Sequence, residues 1–526
     1  MPDAPNENTK QNIGSDPNGE KISNSQLFNV IVTLDNHTKE KYQLPTKTIL
    51  ELVIEEDLFN WPYKGYIIYN NRYEAIERNM NPNAWFFRMD ARDEISIQIK
   101  TISDEPMNIT YPPEVWEMDL NFVIYDTEDI PSANIATKMK KIYFWDKRYQ
   151  MMMDKKIFWS TVTAQKTPNA AHATDDERSM LTGNAIKNLL TSPTAANYPD
   201  SIDEENWDVG ATKILYTSPS QNSIADDLQK LISSHLSESN NDMVIFKYNN
   251  RIDSKWQLIP LYKFFVNAGK NQPQKNEQGQ IIEGTGAGKW QLEHFFFDDI
   301  ESDEGNTSPF RAPYNDGLNF EDGLNFEVDI KMIEWNRIAT YEFTDMSGID
   351  NTKALVSKPV YSYGFVSGQF RMDYEQNEIE AIKADFKELY TDNLLPEKKA
   401  TPIFTLNKTK KNQINVEPEF CFARKVDSDT KQNRLIKGRG KILYGGLFLN
   451  EFIRFRVIGS PHRTIGKFIG IDRMTTDERY NFDNKICGQW FVTNVKHVWN
   501  HNRYVNDICA VKVHMYDDNG VSEDVD

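Results

Sequence analysis

From Phe28 the chain alternates strictly, with Phe28, Val30, Val32 and Leu34 on one side and Asn29 and Thr33 on the other. A period of two is the mark of a half-buried strand. Ile95, Ile97 and Ile99 alternate in the same way with Ser96, Gln98 and Lys100, and Asn70-Asn71 and Asn81-Pro82-Asn83 supply turns between them. Residues 25–104 therefore read as a compact antiparallel sheet or barrel. Leu120, Phe122 and Ile124, then the runs 142–145 and 157–159, are apolar and aromatic. Their continuity predicts strands buried on both faces, a second strand-rich segment over 105–165.

Residues 166–212 are rich in Thr, Asn, Ser and Ala and read as a linker with one helix over 180–190. A small α+β module follows over 213–265. It opens with a strand at Ile214-Leu215-Tyr216, then a helix entered through Ser223 with Asp226 at the capping-box spacing and Ile224, Leu228, Leu231 and Ile232 on one face. Two strands, 243–248 and 256–261, complete it. Residues 266–328 are Gly-, Asn- and acid-rich, with the hexapeptide Asp-Gly-Leu-Asn-Phe-Glu twice in tandem at 316–321 and 322–327. Two copies are too few for a solenoid, so the segment reads as a loop insertion. Residues 329–400 mix strand with a helix marked by Ile379, Ile382, Phe386 and Leu389. Residues 401–526 return to strands: Ile453, Phe455 and Val457 alternate with Arg454 and Arg456, and Cys509, Val511 and Val513 with Ala510 and Lys512. The first 24 residues hold almost nothing apolar and read as a disordered tail.

Composition narrows the classes. The 526 residues carry 60 Lys+Arg against 78 Asp+Glu, a net charge of −18, with 39% hydrophobic and 12% aromatic side chains. Mean hydropathy is −0.64. The aromatics are sufficient for several cores beneath a very polar surface. A surface of this sign repels phosphate, which disfavours sequence-specific nucleic-acid binding. No window approaches the roughly 18 apolar residues of a membrane span, and no basic segment followed by an apolar one opens the chain, so membrane and secretory readings are set aside. Three cysteines are too few for a disulfide framework and suit synthesis in a reducing compartment.

Four constellations invite chemistry. Gly284-Thr285-Gly286-Ala287-Gly288-Lys289 resembles a phosphate loop, but Glu283 stands where Gly is needed and Trp290 where a metal-holding hydroxyl is needed. His497 and His501, flanked by Cys487 and Cys509, make a nominal zinc set. The spacing instead puts His497 on a strand and His501 at a turn tip, and Cys509 reads as a small core residue. The acidic run Asp298, Asp299, Glu301, Asp303 and Glu304 lacks the Gly and the closing carboxylate of a calcium loop, since Phe310 stands at the twelfth position. Basic clusters Lys408, Lys410, Lys411 and Arg434, Lys437, Arg439, Lys441 read as solvated loops or as docking points for an acidic subunit. No Gly-x-Ser-x-Gly and no His-Glu-x-x-His occurs, and nothing selects a carboxylate pair. The expectation is therefore no catalytic, cofactor-binding or metal-binding residue, and no cofactor.

The carboxy-terminal stretch carries a resemblance. Gly466 to Arg473, Cys487-Gly488-Gln489-Trp490-Phe491-Val492-Thr493-Asn494-Val495-Lys496-His497 and Tyr504-Val505-Asn506-Asp507-Ile508 resemble the terminal hairpin of baseplate central hub proteins of contractile-tailed bacteriophages. Leu58-Phe59-Asn60-Trp61-Pro62-Tyr63-Lys64-Gly65, Ala91-Arg92-Asp93-Glu94 and the module from Ser223 to Phe265 look like the same family. The resemblance implies a mainly β chain with an α+β insertion and two tube-like antiparallel β-barrels per subunit, 25–104 forming the first and 105–165 with 401–526 the second. It implies a homotrimeric, non-enzymatic ring in the virion, assembled in the host cytoplasm, that adapts a hexameric tail tube to a trimeric central spike and contacts other baseplate subunits. DNA would pass through its lumen, whose acidic walls would not bind phosphate. The alternatives are a virion-associated cell-wall hydrolase, using carboxylates near 298–304 or 342–345, and a wedge-type baseplate scaffold. In the closing hairpin, Trp490, Val492 and Val495 are expected to pack against Cys509, Val511 and Val513, with the tip 500–503 exposed.

Overall fold

The computed structural model describes residues 28–35, 41–70, 92–101, 117–130, 138–164, 173, 175–198, 201–219, 221–238, 244–249, 255–261, 263–264, 293–297, 336–345, 360–364, 370–373, 401–402, 421–425, 451–472, 486, 488–500, 503–512 and 514–515. The tail 1–24, the duplicated hexapeptide and the helix expected around 379–389 lie outside them. The chain is mainly β. Its strands are β1 (Phe28–Asp35), β2 (Lys41–Leu44), β3 (Ile49–Asp57), β4 (Lys64–Asn70), β5 (Glu94–Thr101), β6 (Met118–Ile130), β7 (Met139–Asp146), β8 (Met180–Leu181), β9 (Ile202–Trp207), β10 (Lys213–Ile214), β11 (Val244–Asn249), β12 (Lys255–Pro260), β13 (Glu293–Phe296), β14 (Thr340–Asp345), β15 (Val360–Gly364), β16 (Phe370–Asp373), β17 (Thr401–Pro402), β18 (Cys421–Lys425), β19 (Glu451–Ile458), β20 (Phe468–Asp472), β21 (Gly488–Asn500), β22 (Arg503–Lys512) and β23 (His514–Met515). Among the described residues three helices exceed one turn by a clear margin: α1 (Lys147–Asp154), α2 (Thr182–Thr191) and α3 (Ile224–Ser234). None is long and apolar enough to cross a membrane.

Thirteen strands join in one sheet, in the order β14-β19-β22-β21-β3-β4-β7-β6-β5-β1-β2, with β20 paired to β21 and β13 to β20. The alternation read at 28–34 and 95–99 is realised side chain by side chain. Phe28, Val30, Val32, Leu34, Ile95, Ile97 and Ile99 are all buried in one core, and β1 pairs with β5 along its whole length. This sheet curls: the Phe28 ring of β1 meets Tyr504 of β22 edge-on at 5.2 Å, although four strands separate β1 from β3 and the hairpin lies beyond β3. The result is an N-terminal barrel-like unit. A second apolar core, built on Phe295, Ile453, Phe455, Val457, Ile471, Trp490, Val495 and Ile508, lies under the C-terminal strands.

Several expectations need correction. The strands of 105–165 do not join the C-terminal ones: β6 and β7 insert between β4 and β5. Their apolar faces, Leu120, Phe122, Ile124, Ile142 and Phe144, complete the first core. They are also buried mainly on one face, because the outward Tyr125, Tyr143 and Trp145 form a partly open aromatic surface. Residues 157–159 form no strand of the sheet, and Phe158 is 72% exposed. The insertion 266–328 is not all loop, since β13 pairs in parallel with β20 and buries Phe295. On β22 the inward residues are Tyr504, Asn506, Ile508 and Ala510, not Cys509 and Val511. Apolar residues occupy both faces of that strand, so alternation could not choose between them, and one residue of register exchanges the faces. Val511 is nevertheless buried, opposite Phe491 and Phe452, while Val513 lies outside the described residues.

The α+β module differs from the reading in its edges: the opening strand is only β10, which pairs with β8, and β9, from the stretch read as a linker, joins the sheet of the hairpin. α3 is entered through a capping box at Ser223 and Asp226, and β11 and β12 pair as a hairpin with β9 beside β12. The helix expected at 180–190 is α2. The module packs on the first unit through an aromatic seam: Tyr125 stacks on Trp145 at 4.1 Å, Trp145 meets Tyr149 of α1, Tyr149 meets Trp61, and Trp61 meets Trp256. Large rings in offset and edge-on contact bury much area with little rotamer entropy lost.

Candidate functional site: a buried polar belt between two cores

One face of β3, β21, β22 and β19 serves both cores in succession. On β21, Val495 belongs to the second core and Trp499 to the first; on β22, Ile508 belongs to the second and Tyr504 to the first. Between them, at the same inward phase, stand His497 and Asn506, which are register partners, and on β3 stands Glu56. All three are buried. A polar residue at a buried position needs a partner, and here each has one.

Partners for Glu56 and Asn506 come from the connection 459–467 between β19 and β20, while His497 is met by residues of β22 and β3. Arg463, 3% exposed, donates through Nε to Glu293 Oε1 at 2.8 Å, through Nη2 to Asn336 Oδ1 at 2.9 Å, through Nη1 to Asn506 Oδ1 at 3.1 Å, and through Nη1 to the Ile458 carbonyl. Its guanidinium also lies 5.2 Å from the Phe295 ring centroid. Thr464 donates to Glu56 Oε2 at 2.6 Å. A planar fork can serve several fixed acceptors at once, which a lysine cannot.

The hydrogen bonds fix protonation states. The Ser460 backbone N–H, which can only donate, reaches Asn506 Oδ1 at 2.6 Å, so that oxygen is assigned and Asn506 Nδ2 must donate to His497 Nδ1 at 3.0 Å. The Tyr504 hydroxyl shares that nitrogen at 2.7 Å. His497 therefore carries its proton on Nε2, facing Glu56 Oε1 at 3.4 Å. Burial would raise the Glu293 carboxyl, but Arg463 and His462 outweigh it and bring it down to about 2. Burial pushes His462 down, and Glu293 only partly offsets this.

Ser460, His462 and Glu293 also stand in a triad-like row, Oγ to Nδ1 at 2.6 Å and Nε2 to Oε2 at 3.4 Å. Ser460 is fully buried, so no external substrate reaches its hydroxyl, and Arg463 holds the Glu293 charge. The row acts as part of the belt.

The residues singled out in the sequence are not gathered here. His497 enters the belt through its neighbours on β22. Cys509 lies on the other face of that strand, with its thiol pushed up by burial, while Cys487 and His501 lie outside the described residues. The Gly284–Lys289 run, the acidic run 298–304 and both basic clusters also lie outside them. Among the described residues no group of three or more His, Cys, Asp or Glu could hold a metal ion. Glu56, Glu293, Arg463 and Asn506 were missed. The available signals were a polar Asn506 at the inward phase of an alternating strand and the compact His462-Arg463-Thr464 between two strands.

The fold is similar to solved structures at low identity. They include the 43 kDa tail protein of prophage MuSo2 from Shewanella oneidensis (TM-score 0.41, 8% identity, 92% of this chain and 97% of that one). The tail protein from Neisseria meningitidis MC58 gives 0.43, 7% identity, and coverage of 92% and 96%. A chain of the Francisella PdpA-VgrG complex gives 0.39, 9% identity, and coverage of 92% and 52%. All three TM-scores lie below 0.5. No family model matches the sequence, and no curated protein does.

Proposed function

We propose that this chain is a structural, non-enzymatic subunit of a phage tail baseplate: a central hub that forms a homotrimeric ring between a hexameric tail tube and a trimeric spike. One observation carries the reading. The two stretches that bear the hub resemblance, 58–65 and 487–497, are some 430 residues apart in sequence yet hydrogen-bonded neighbours, with the Leu58 N–H on the Thr493 carbonyl at 2.9 Å and β3 paired to β21 over Asn494–Asn500. The terminal hairpin thereby joins two barrel-like units into one sheet. Three chains with two units each supply six lobes, which suits a sixfold tube on one side and a threefold spike on the other. The virion is its place of work, and assembly takes place in the host cytoplasm.

Negative-stain imaging of the purified chain tests this. Six-lobed rings with threefold symmetry are the expected particles, and particles without a central opening would sink the reading. The hydrolase alternative rests on carboxylates near 298–304, outside the described residues, or 342–345, where Glu342 is exposed and paired with Arg454. A turbidity assay on peptidoglycan should show no clearing, and clearing by the isolated chain would replace the structural reading with the enzymatic one.

A further inference from the structure

Part of the main sheet ends in an open edge. β5 stays beside β6 only as far as Glu94, opposite Val123. One last pair of bonds follows, the Arg92 N–H on the Ile124 carbonyl at 2.6 Å and the Ile124 N–H on the Asp93 carbonyl at 2.8 Å. Arg92 has φ 87°, a left-handed conformation uncommon for a residue with a side chain, and the ladder stops there. β6 runs on to Ile130, and over Asp126–Ile130 it is paired with β7 alone among the described residues. Every second residue of such a stretch turns its N–H and C=O away from its one partner, so the edge can accept another strand.

The side chains along this edge decide what that strand must carry. Directly opposed residues of an antiparallel pair share a face. Asp126 is opposite Tyr143 and Glu128 opposite Lys141, and these point outward because Ile142 and Phe144 point into the first core. Both carboxylates are exposed, as is Asp129 on the other face, across from Lys140. Asp126 accepts from the Thr127 N–H at 2.8 Å and Glu128 from the Tyr143 hydroxyl at 3.1 Å. Lys141 lies over the rings of Tyr66 and Tyr143, 4.2 and 4.5 Å from their centroids, and among the described residues neither Asp126 nor Glu128 closes an ion pair. Beside them Tyr125, 38% exposed and stacked on Trp145, offers a ring to a cation.

Carboxylates on an open edge keep it from pairing with another like itself. The same charges attract a strand of opposite sign. Alternate side chains of an added strand lie on one face, so the pair that meets Asp126 and Glu128 must stand at i and i+2.

We infer that the open edge of β6, Asp126–Ile130, takes an added strand from another polypeptide, one with Lys or Arg at alternate positions facing Asp126 and Glu128. This partner surface goes beyond the hub reading and does not depend on three copies forming a ring.

Calorimetric titration of the full chain with synthetic heptapeptides tests it. One peptide alternates Lys with Thr, one holds the same residues in two blocks, and one is the alternating peptide with its backbone amides N-methylated. At about 0.15 M salt the alternating peptide should bind about tenfold tighter than the block peptide, and the N-methylated one should not bind. Asp126→Asn with Glu128→Gln should bring the alternating peptide down to the level of the block peptide, with an unchanged thermal melt. Asp119→Asn, at an exposed site on the part of β6 that β5 covers, should leave binding as it was. Equal binding of the alternating and block peptides, or binding that survives the double substitution, would be general attraction to a chain of net charge −18 and overturns the inference. Binding of the N-methylated peptide overturns strand addition. No binding by any peptide leaves the acids as guards of the edge only, which also overturns it. Imaging without six-lobed rings, with the alternating peptide still bound as expected, sinks the hub reading and supports this surface.

Discussion

The first core and the belt beside it are both buried on the same strands, yet they are held together by different physics. Phe28, Val32, Ile97, Phe122 and Ile142 have no charge to satisfy, so what matters there is apolar area removed from water and how fully the space is filled. Glu293, Arg463, His462, Asn506, His497 and Glu56 gain little from area. They hold because every charge and dipole meets another at a fixed angle. An apolar core degrades gradually as atoms are removed, whereas a buried ionic network fails when one member is lost, because the remaining charge stays buried without its partner.

The largest expected effect breaks the belt. Arg463→Met leaves Glu293 buried without its cation and should cost about 3–5 kcal/mol in urea unfolding. Adding Glu293→Met to it should restore most of that loss, since an apolar pair of similar volume replaces the ion pair. Arg463→Met costing no more than an exposed substitution would remove the contrast.

Acid should divide the two regions next. Glu293 is held near 2 when folded against an ordinary 4.5, so its contribution, of the order of 3 kcal/mol at about 1.4 kcal/mol per pH unit, is present above about pH 4.5 and lost as pH falls toward 2. His462 is held neutral by burial. The unfolded chain takes up its proton first as pH drops below about 6.5, which also removes stability toward acid. Stability measured from pH 7 to pH 3 should fall, and Glu293→Gln should flatten the lower part of the curve. An identical acid slope in wild type and Glu293→Gln would count against this assignment.

In the first core, Ile97→Val should cost about 1 kcal/mol, by the same amount at pH 7 and pH 4, because only a methylene is lost. A pH-dependent cost there would blur the comparison. The smallest effect is at the surface. Arg456 reaches Asp507 with two bonds, 2.6 and 2.7 Å, but is about half exposed, and Arg456→Gln should cost at most about 1 kcal/mol and less at high salt.

What the sequence determined by itself was local. Strict alternation placed Phe28, Val30, Val32, Leu34, Ile95, Ile97 and Ile99, and likewise Ile453, Phe455 and Val457, on buried faces, because a strand's side chains alternate whatever it pairs with. Capping chemistry at Ser223 and Asp226 fixed the entry of α3, since the groups involved lie within one turn. The tertiary structure decided which strands are neighbours. That β6 and β7 enter between β4 and β5, that β13 lies in a core within an acid-rich stretch, and that Ile508 rather than Cys509 faces inward all depend on pairing partners distant in sequence. The belt depends on it most. Glu56, Glu293, Arg463 and His497 come from four separate stretches of the chain, and a buried ion pair has no local signature: its members are ordinary surface residues until the fold encloses them opposite one another.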